Sequence, residues 1–279
     1  MYSNLIEAYN ENNNIIHPIL ENSYVNTLVN DSVSKKRFDK MKQIHEEYNL
    51  PELKINPALH WKNDFEHIQK NYPTIKRNSR KFIERPGAYG LTASFIQFLE
   101  NNKNTPHQYT VWYEDDSIPA DNKELFYEHL IYALDNIPKG YNNVYYLGYT
   151  THCLLKCSNE KKWEPKVKTN KHAFGNTTAY GAHAVIFTKS SIKTILNYMK
   201  NNSITIPIDD LLYDLHKKNI INTWDWKGNI ITENKMFCGL YKQLDTYCSY
   251  RNNVIGDPNK NIRTYNKNIV KINLMNNVS

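Results

Sequence analysis

Gln108-Tyr-Thr-Val-Trp-Tyr-Glu114-Asp115-Asp116-Ser-Ile-Pro119 is the stretch from which the rest of the chain is read. Tyr109 to Tyr113 are all β-branched or aromatic, the composition of a buried strand. The run then ends abruptly in three acids. Adjacent carboxylates repel one another, and grouping them costs free energy unless water or a cation screens them. Mg²⁺ and Mn²⁺ take carboxylate oxygens and bind diphosphates equally well. Glu114, Asp115 and Asp116 are therefore candidates to hold a divalent cation that in turn holds a nucleotide diphosphate. The structural alternative is a solvated acidic turn leading into a helix.

Working outward, 279 residues suit one large domain with small appendages. The 21 Tyr and 5 Trp supply amphipathic rings that serve in cores, rims and sugar or nucleoside sites alike. A net charge of +7 favours anionic partners. The cations are spread along the chain without a dense block interleaved with aromatics, which argues against a nucleic-acid module and leaves phosphorylated small molecules. Cys153, Cys157, Cys238 and Cys248 lack zinc-finger spacing and read as free thiols of a reducing compartment. No signal-like N-terminus and no spanning apolar run is visible, so the expected location is cytoplasmic, with no membrane span.

Three regions are expected: a peripheral N-terminal segment over 1–22, the main domain over 23–252 and a polar tail over 253–279. A strand at Tyr24–Leu28 is followed by a capping turn and a helix at about Ser34–Tyr48, with Phe38, Met41, Ile44 and Tyr48 at helical spacing. Such a strand-helix start predicts an α/β layer with ligands at the carboxyl ends of its strands. Lys35, Lys36 and Arg37 fall there, where they would meet a diphosphate or simply solvate the first turn. Residues 51–86 read as loop with one short helix near Trp61–Lys70. In Arg85-Pro-Gly87-Ala-Tyr89-Gly90-Leu-Thr-Ala-Ser94 the glycines suggest a tight turn or a close approach to ligand, before a helix carrying Leu91, Phe95, Phe98 and Leu99 inward. Further on come a helix through Phe126, Leu130 and Leu134, strands at Asn143–Tyr149 and Ala182–Phe187, a helix at Ser190–Lys200, a helix opened by Asp209 and Asp210, and a strand at Ile220–Trp226. Residues 151–177 read as an irregular loop over the site.

Taken in order, four of these blocks resemble glycosyltransferase family 25, the lipooligosaccharide and procollagen galactosyltransferase type. Arg85-Pro-Gly87-Ala-Tyr-Gly90-Leu-Thr-Ala-Ser94 resembles its Pro-Gly-x-x-Gly…Ser-His block, with Phe95 where the family carries His. Glu114-Asp115-Asp116 matches Glu-Asp-Asp, Tyr146-Leu147-Gly148 matches x-Leu-Gly, and Pro207-Ile208-Asp209-Asp210-Leu211-Leu212 resembles Pro-Val-Asp-x-x-Leu. The opening strand with Lys36-Arg37, and Gln243 before Ser249, fit the same order. The resemblance covers roughly residues 24–250. It implies a GT-A-like α/β fold, a mixed central sheet flanked by helices with a Rossmann-like nucleotide-binding half. It further implies a UDP-sugar donor, commonly UDP-galactose, Mn²⁺ (or Mg²⁺) dependence, inversion, and a glycan or protein hydroxyl as acceptor.

On this reading Glu114 and Asp116 hold the metal, since neighbours on a strand point to opposite faces and Asp115 turns away. Arg37, Gly87, Tyr89, Gly90, Ser94 and Asp115 line the nucleotide-sugar site. Asp209 is the expected base, with Asp210 second, for an inverting transfer needs a carboxylate facing the acceptor hydroxyl. Trp224, Trp226 and Gln243 are expected on the acceptor side, the tryptophans stacking on sugar. His152 and His183 are further metal candidates. Two rivals share these features: a metal-dependent nuclease, and an inactive glycan-binding relic of the same fold.

Overall fold

The computed structural model describes residues 17–150, 160–166, 180–228, 230 and 237–243. Within them a mixed sheet runs in the order β2-β1-β3-β7-β5-β8-β6, with β9 added to β5. The strands are β1 Ser23–Thr27, β2 Lys54–Pro57, β3 Tyr109–Glu114, β5 Asn143–Thr150, β6 Trp163–Pro165, β7 Tyr180–Thr188, β8 Asn222–Trp226 and β9 Phe237–Gly239. β1 pairs parallel with β2 and β3, and β5 with β8, while β7 runs antiparallel between β3 and β5. Because β7 opposes both neighbours, β1, β2, β3, β5 and β8 all point the same way. Their carboxyl ends share one edge.

The helices are α1 Ser32–Glu47, α2 Phe65–Asn71, α3 Arg80–Glu84, α4 Pro86–Asn102, α5 Lys123–Asp135, α6 Lys189–Asn201 and α7 Ile208–Lys217. One face of the sheet packs α2, α3, α4, α6 and α7 through Phe95, Phe98, Trp112, Ile195 and Leu212. The other packs α1 and α5 through Met41, Val111, Phe126, Leu130 and Trp226. Each such side chain, fully buried, contributes roughly 1.5–3 kcal/mol. The strand alternation decides the sorting: Val111 and Tyr113 face one layer and Trp112 the other. No helix of the described residues is long and apolar enough to cross a membrane.

Most expected elements appear within one or two residues of their predicted bounds. Asp31 caps α1, accepting from Val33 N and Ser34 N. Four differences stand out. Residues 51–86 contain β2 and α3, which flanking prolines and short length concealed. Within the loop expected at 151–177, residues 163–165 form β6; residues 151–159 and 167–177 of that loop lie outside the described residues. Ile19 and Leu20, assigned to the peripheral segment, are buried against Val25 and Tyr113 in the second core layer. The remainder of that segment (1–16) and the 253–279 tail also lie outside the described residues. Finally, α4 begins at Pro86 and not after Gly90. Gly87 and Gly90 are therefore helical, which corrects the reading of them as a phosphate-holding turn. Gly90 serves close packing: an added Cβ would stand 2.3 Å from the Leu59 carbonyl oxygen.

Candidate functional site

The acidic triplet lies on the carboxyl edge of the sheet, at the end of β3. A short hairpin encloses it. β4 (Ser117–Pro119) follows the triplet directly and pairs antiparallel with β10 (Tyr241–Gln243), which sets Gln243 opposite Ser117. The chain reaches this position by crossing β5 at Gly148, where an added Cβ would meet the Tyr241 carbonyl oxygen at 2.6 Å. The glycine of Tyr146-Leu147-Gly148 is thus needed for the passage of β10 over the sheet. Tyr113 and Tyr241 hydroxyls meet at 3.2 Å beneath the crossing.

Each acid has a different environment. Gln243 Nε2 donates to Glu114 Oε2 at 2.8 Å. Asp115 accepts from Thr27 Oγ1 at 2.9 Å and faces Arg37 Nη1 at 4.0 Å, which joins the ends of β1, α1 and β3. Asp116 Oδ1 is buried and has no hydrogen-bond partner. Burial is the main cause that raises the Glu114 carboxyl well above its ordinary value, with repulsion from Asp116 and Asp209 adding to it. Burial likewise lifts Asp116 to about 6, against the pull of Arg37. Asp115 rises too, through burial, despite Thr27, Ser34 and Arg37.

From the first turn of α7, Asp209 faces the same cluster. Its Oδ1 is also buried without a hydrogen-bond partner. Burial raises it to about 6, while Lys166 and Arg85 act to lower it. Asp210 points away to Lys81 of α3, at 3.4 Å. The two acids that open α7 therefore differ: Asp210 ties α7 to α3, and Asp209 is left toward the triplet.

Behind Asp209 lies a group the sequence did not disclose. Lys166 follows β6, its side chain 2 % exposed, with Nζ 3.9 Å from Asp225 Oδ1 and 3.7 Å from the Tyr146 ring centre. The segment is pinned by His216 Nε2, which donates to the Lys166 carbonyl at 2.7 Å, and by the Lys166 amide, which donates to Thr223 O. Lys227 Nζ stands 3.8 Å from Asp225 Oδ2. Burial lowers Lys166, with Asp225 and Asp209 opposing the shift. An isolated buried ammonium is costly, and here two carboxylates and a ring face compensate it.

The other expected site residues fall elsewhere. Ser94 Oγ donates to Gly90 O and accepts from Leu59 N, so it fastens a loop to α4. Tyr89 is buried beside Phe65 and Phe82. Trp226 is 0 % exposed and packs edge-on against Trp163 and His129, which corrects the expectation that it stacks on a sugar. Trp224 is partly buried against the same layer. His183 is buried, and burial lowers it to about 3. His152 lies outside the described residues.

Among the described residues no group of three or more His, Cys, Asp or Glu is placed to hold a metal ion unaided. An ion of the Mg²⁺ type does not need such a cage, since it binds through one or two carboxylates plus substrate phosphates and water. Two buried carboxylate oxygens without partners, on Asp116 and Asp209, are the kind of acceptor such a ligand set would satisfy. No family model matches the chain, and no curated protein matches it.

Proposed function

We propose that this chain is a metal-dependent glycosyltransferase of GT-A-like architecture that moves a hexose, galactose or glucose, from a UDP-sugar to a hydroxyl of a glycan or protein acceptor. The carrying observation is the half-buried set of carboxylates in which Glu114, at the end of β3, has Asp116 and Asp209 of α7 as charged neighbours, with Asp116 Oδ1 and Asp209 Oδ1 buried and without hydrogen-bond partners. Neighbouring carboxylates are unfavourable by themselves and become favourable beside a cation and a polar substrate. The order of the motif blocks and the location at the carboxyl edge of parallel strands support the same reading. A cytoplasmic location accompanies it, on the free-thiol reading of the cysteines.

Glu114 and Asp116 would hold Mn²⁺ or Mg²⁺, which as a Lewis acid would offset charge on the departing diphosphate. Gln243 fixes Glu114 through its hydrogen bond. Arg37, anchored beside Asp115, offers a guanidinium to the phosphates. Asp209 takes the proton from the acceptor hydroxyl. A carboxyl near 6 is ionised at neutral pH yet basic enough to accept a proton in the transition state. Lys166 keeps Asp209 from rising further and thereby sets the working pH. Inversion follows when Asp209 stands on the acceptor side of the sugar and the metal carboxylates on the donor side.

Calorimetric titration with UDP in Mn²⁺ tests this. The wild type should bind, and Asp116→Asn should lose the metal-dependent part of the affinity. Equal binding with and without Mn²⁺ in both proteins would refute the assignment of Glu114 and Asp116.

A further inference from the structure

A cavity lies beside α3 and the start of α4. α3 and the start of α4 present two faces. On one, Lys81 pairs with Asp210 and Arg85 acts on Asp209. On the other, Phe82, Ile83, Pro86 and Tyr89 line a half-open cavity of about 770 Å³, which Trp61 and the exposed Arg77 also line. That volume lies within the roughly 300–1,000 Å³ typical of small-molecule sites.

The lining has a specific chemistry. Residues 76–85 carry Lys76, Arg77, Arg80, Lys81 and Arg85 against one acid, Glu84. Arg80 takes Glu84 at 2.7 Å and Lys81 takes Asp210, so neither supplies its charge to the cavity. Arg77 lies with its guanidinium carbon 4.6 Å from the Phe65 ring centre. Among the described residues no carboxylate pairs with it. The ring contact holds the planar group in place and leaves its N–H fork for an anion. Trp61, half-buried at the same cavity, adds aromatic surface of the type that stacks on the C–H face of a sugar. A neutral sugar would leave Arg77 unused, and a purely apolar ligand would not match the cationic rim.

The geometry points to this cavity as a saccharide site separate from the Asp209 cluster, taking a sugar that carries a carboxylate or phosphate group, with the anion on Arg77 and the sugar against Trp61. The inference goes beyond the transferase reading, since the cavity lies on the other face of α3 from Asp209. The binding itself can be measured without nucleotide or metal.

The test is calorimetric titration of the full chain, in EDTA and without UDP. The probes are hexuronic acids, N-acetylneuraminic acid, hexose 6-phosphates and neutral galactose. At least one anionic sugar should bind, and the carboxylate and phosphate probes tell which anion is preferred. Arg77→Gln should weaken that binding by roughly tenfold or more, the usual effect of losing a charge-assisted hydrogen bond. Ile83→Glu, at a position 67 % exposed, should also weaken it by charge repulsion without disturbing the core. Arg80→Gln should bind as the wild type does. Circular dichroism confirms folding of each variant. Equal affinity for neutral and anionic sugars, indifference to both Arg77→Gln and Ile83→Glu, or displacement of the sugar by UDP alone would each overturn the inference. UDP binding in Mn²⁺, measured on the same samples, separates the outcomes. Intact UDP binding with no saccharide binding rejects the subsite alone, whereas saccharide binding without UDP binding rejects the transferase reading and leaves a glycan-binding cavity.

Discussion

Asp209→Asn should make the metal-free protein more stable at pH 8 while slowing transfer at least a hundredfold. Unfolded, the Asp209 carboxyl titrates near 3.8, and in the folded protein burial raises it to about 6. Between those values the folded state binds the extra proton. Its contribution to stability is full below about pH 4 and is lost as pH rises through about 6. One pK unit is worth about 1.4 kcal/mol, so the ionised side chain costs about 3 kcal/mol at pH 8. Asparagine has the same shape and no charge. That cost already contains the pull of Lys166, which keeps Asp225 as a close carboxylate in the variant. The net gain is about 3 kcal/mol, or roughly 6–12 °C in Tm for a domain of this size. Urea unfolding of both proteins in EDTA, at pH 8 and pH 4, gives the answer. The variant should lead at pH 8, and the gap should close at pH 4. If Asp209→Asn is less stable than wild type at pH 8, the carboxylate is held by favourable contacts, and its proposed role as an under-satisfied base is wrong.

The remaining predictions concern other parts of the site and its scaffold. Arg37→Gln should change stability by less than about 1 kcal/mol, because its pair with Asp115 is partly solvated, while raising the Kd for UDP roughly tenfold in calorimetry. Gly90→Ala should cost about 1–3 kcal/mol in denaturant unfolding, since the new methyl meets the Leu59 carbonyl and the α4 backbone must shift. Trp226→Ala should cost about 3–5 kcal/mol and leave the acceptor KM unchanged at temperatures where the variant stays folded.

What the sequence disclosed depended on how local its physical cause was. β3 and its acidic end were legible because five consecutive β-formers stop at three carboxylates. α1 was legible from Asp31 and the spacing of Phe38, Met41 and Ile44. The separate fates of Glu114, Asp115 and Asp116 were partly foreseen, since strand geometry turns Asp115 from its neighbours; that it turns toward Thr27 and Arg37 needed the parallel pairing of β1 with β3. Gly90 was misread because a helical glycine with a close backbone neighbour and a turn glycine look alike in sequence. Trp226 was misread because an aromatic at a strand end suits a sugar platform and a core equally well. Lys166 and Asp225 were missed altogether. Lys166 stands in a lysine-rich run, and its burial follows from β6 pairing with β8, a contact between positions about sixty residues apart. Asp225 alternates with Trp224 and Trp226 and so faces the opposite layer, toward α7.

Asp116 and Asp209 are proposed to serve one metal-assisted transfer. UDP release should therefore be measured from a panel of UDP-sugars, in Mn²⁺ and in EDTA, for the wild type, Asp116→Ala and Asp209→Asn. The predicted result is release from one donor that requires Mn²⁺ and vanishes in Asp116→Ala. Asp209→Asn should still bind UDP but turn over at least a hundredfold more slowly, the usual loss on removing a general base. Release that ignores EDTA and both substitutions, or none from any donor alongside no metal-dependent UDP binding, would contradict it.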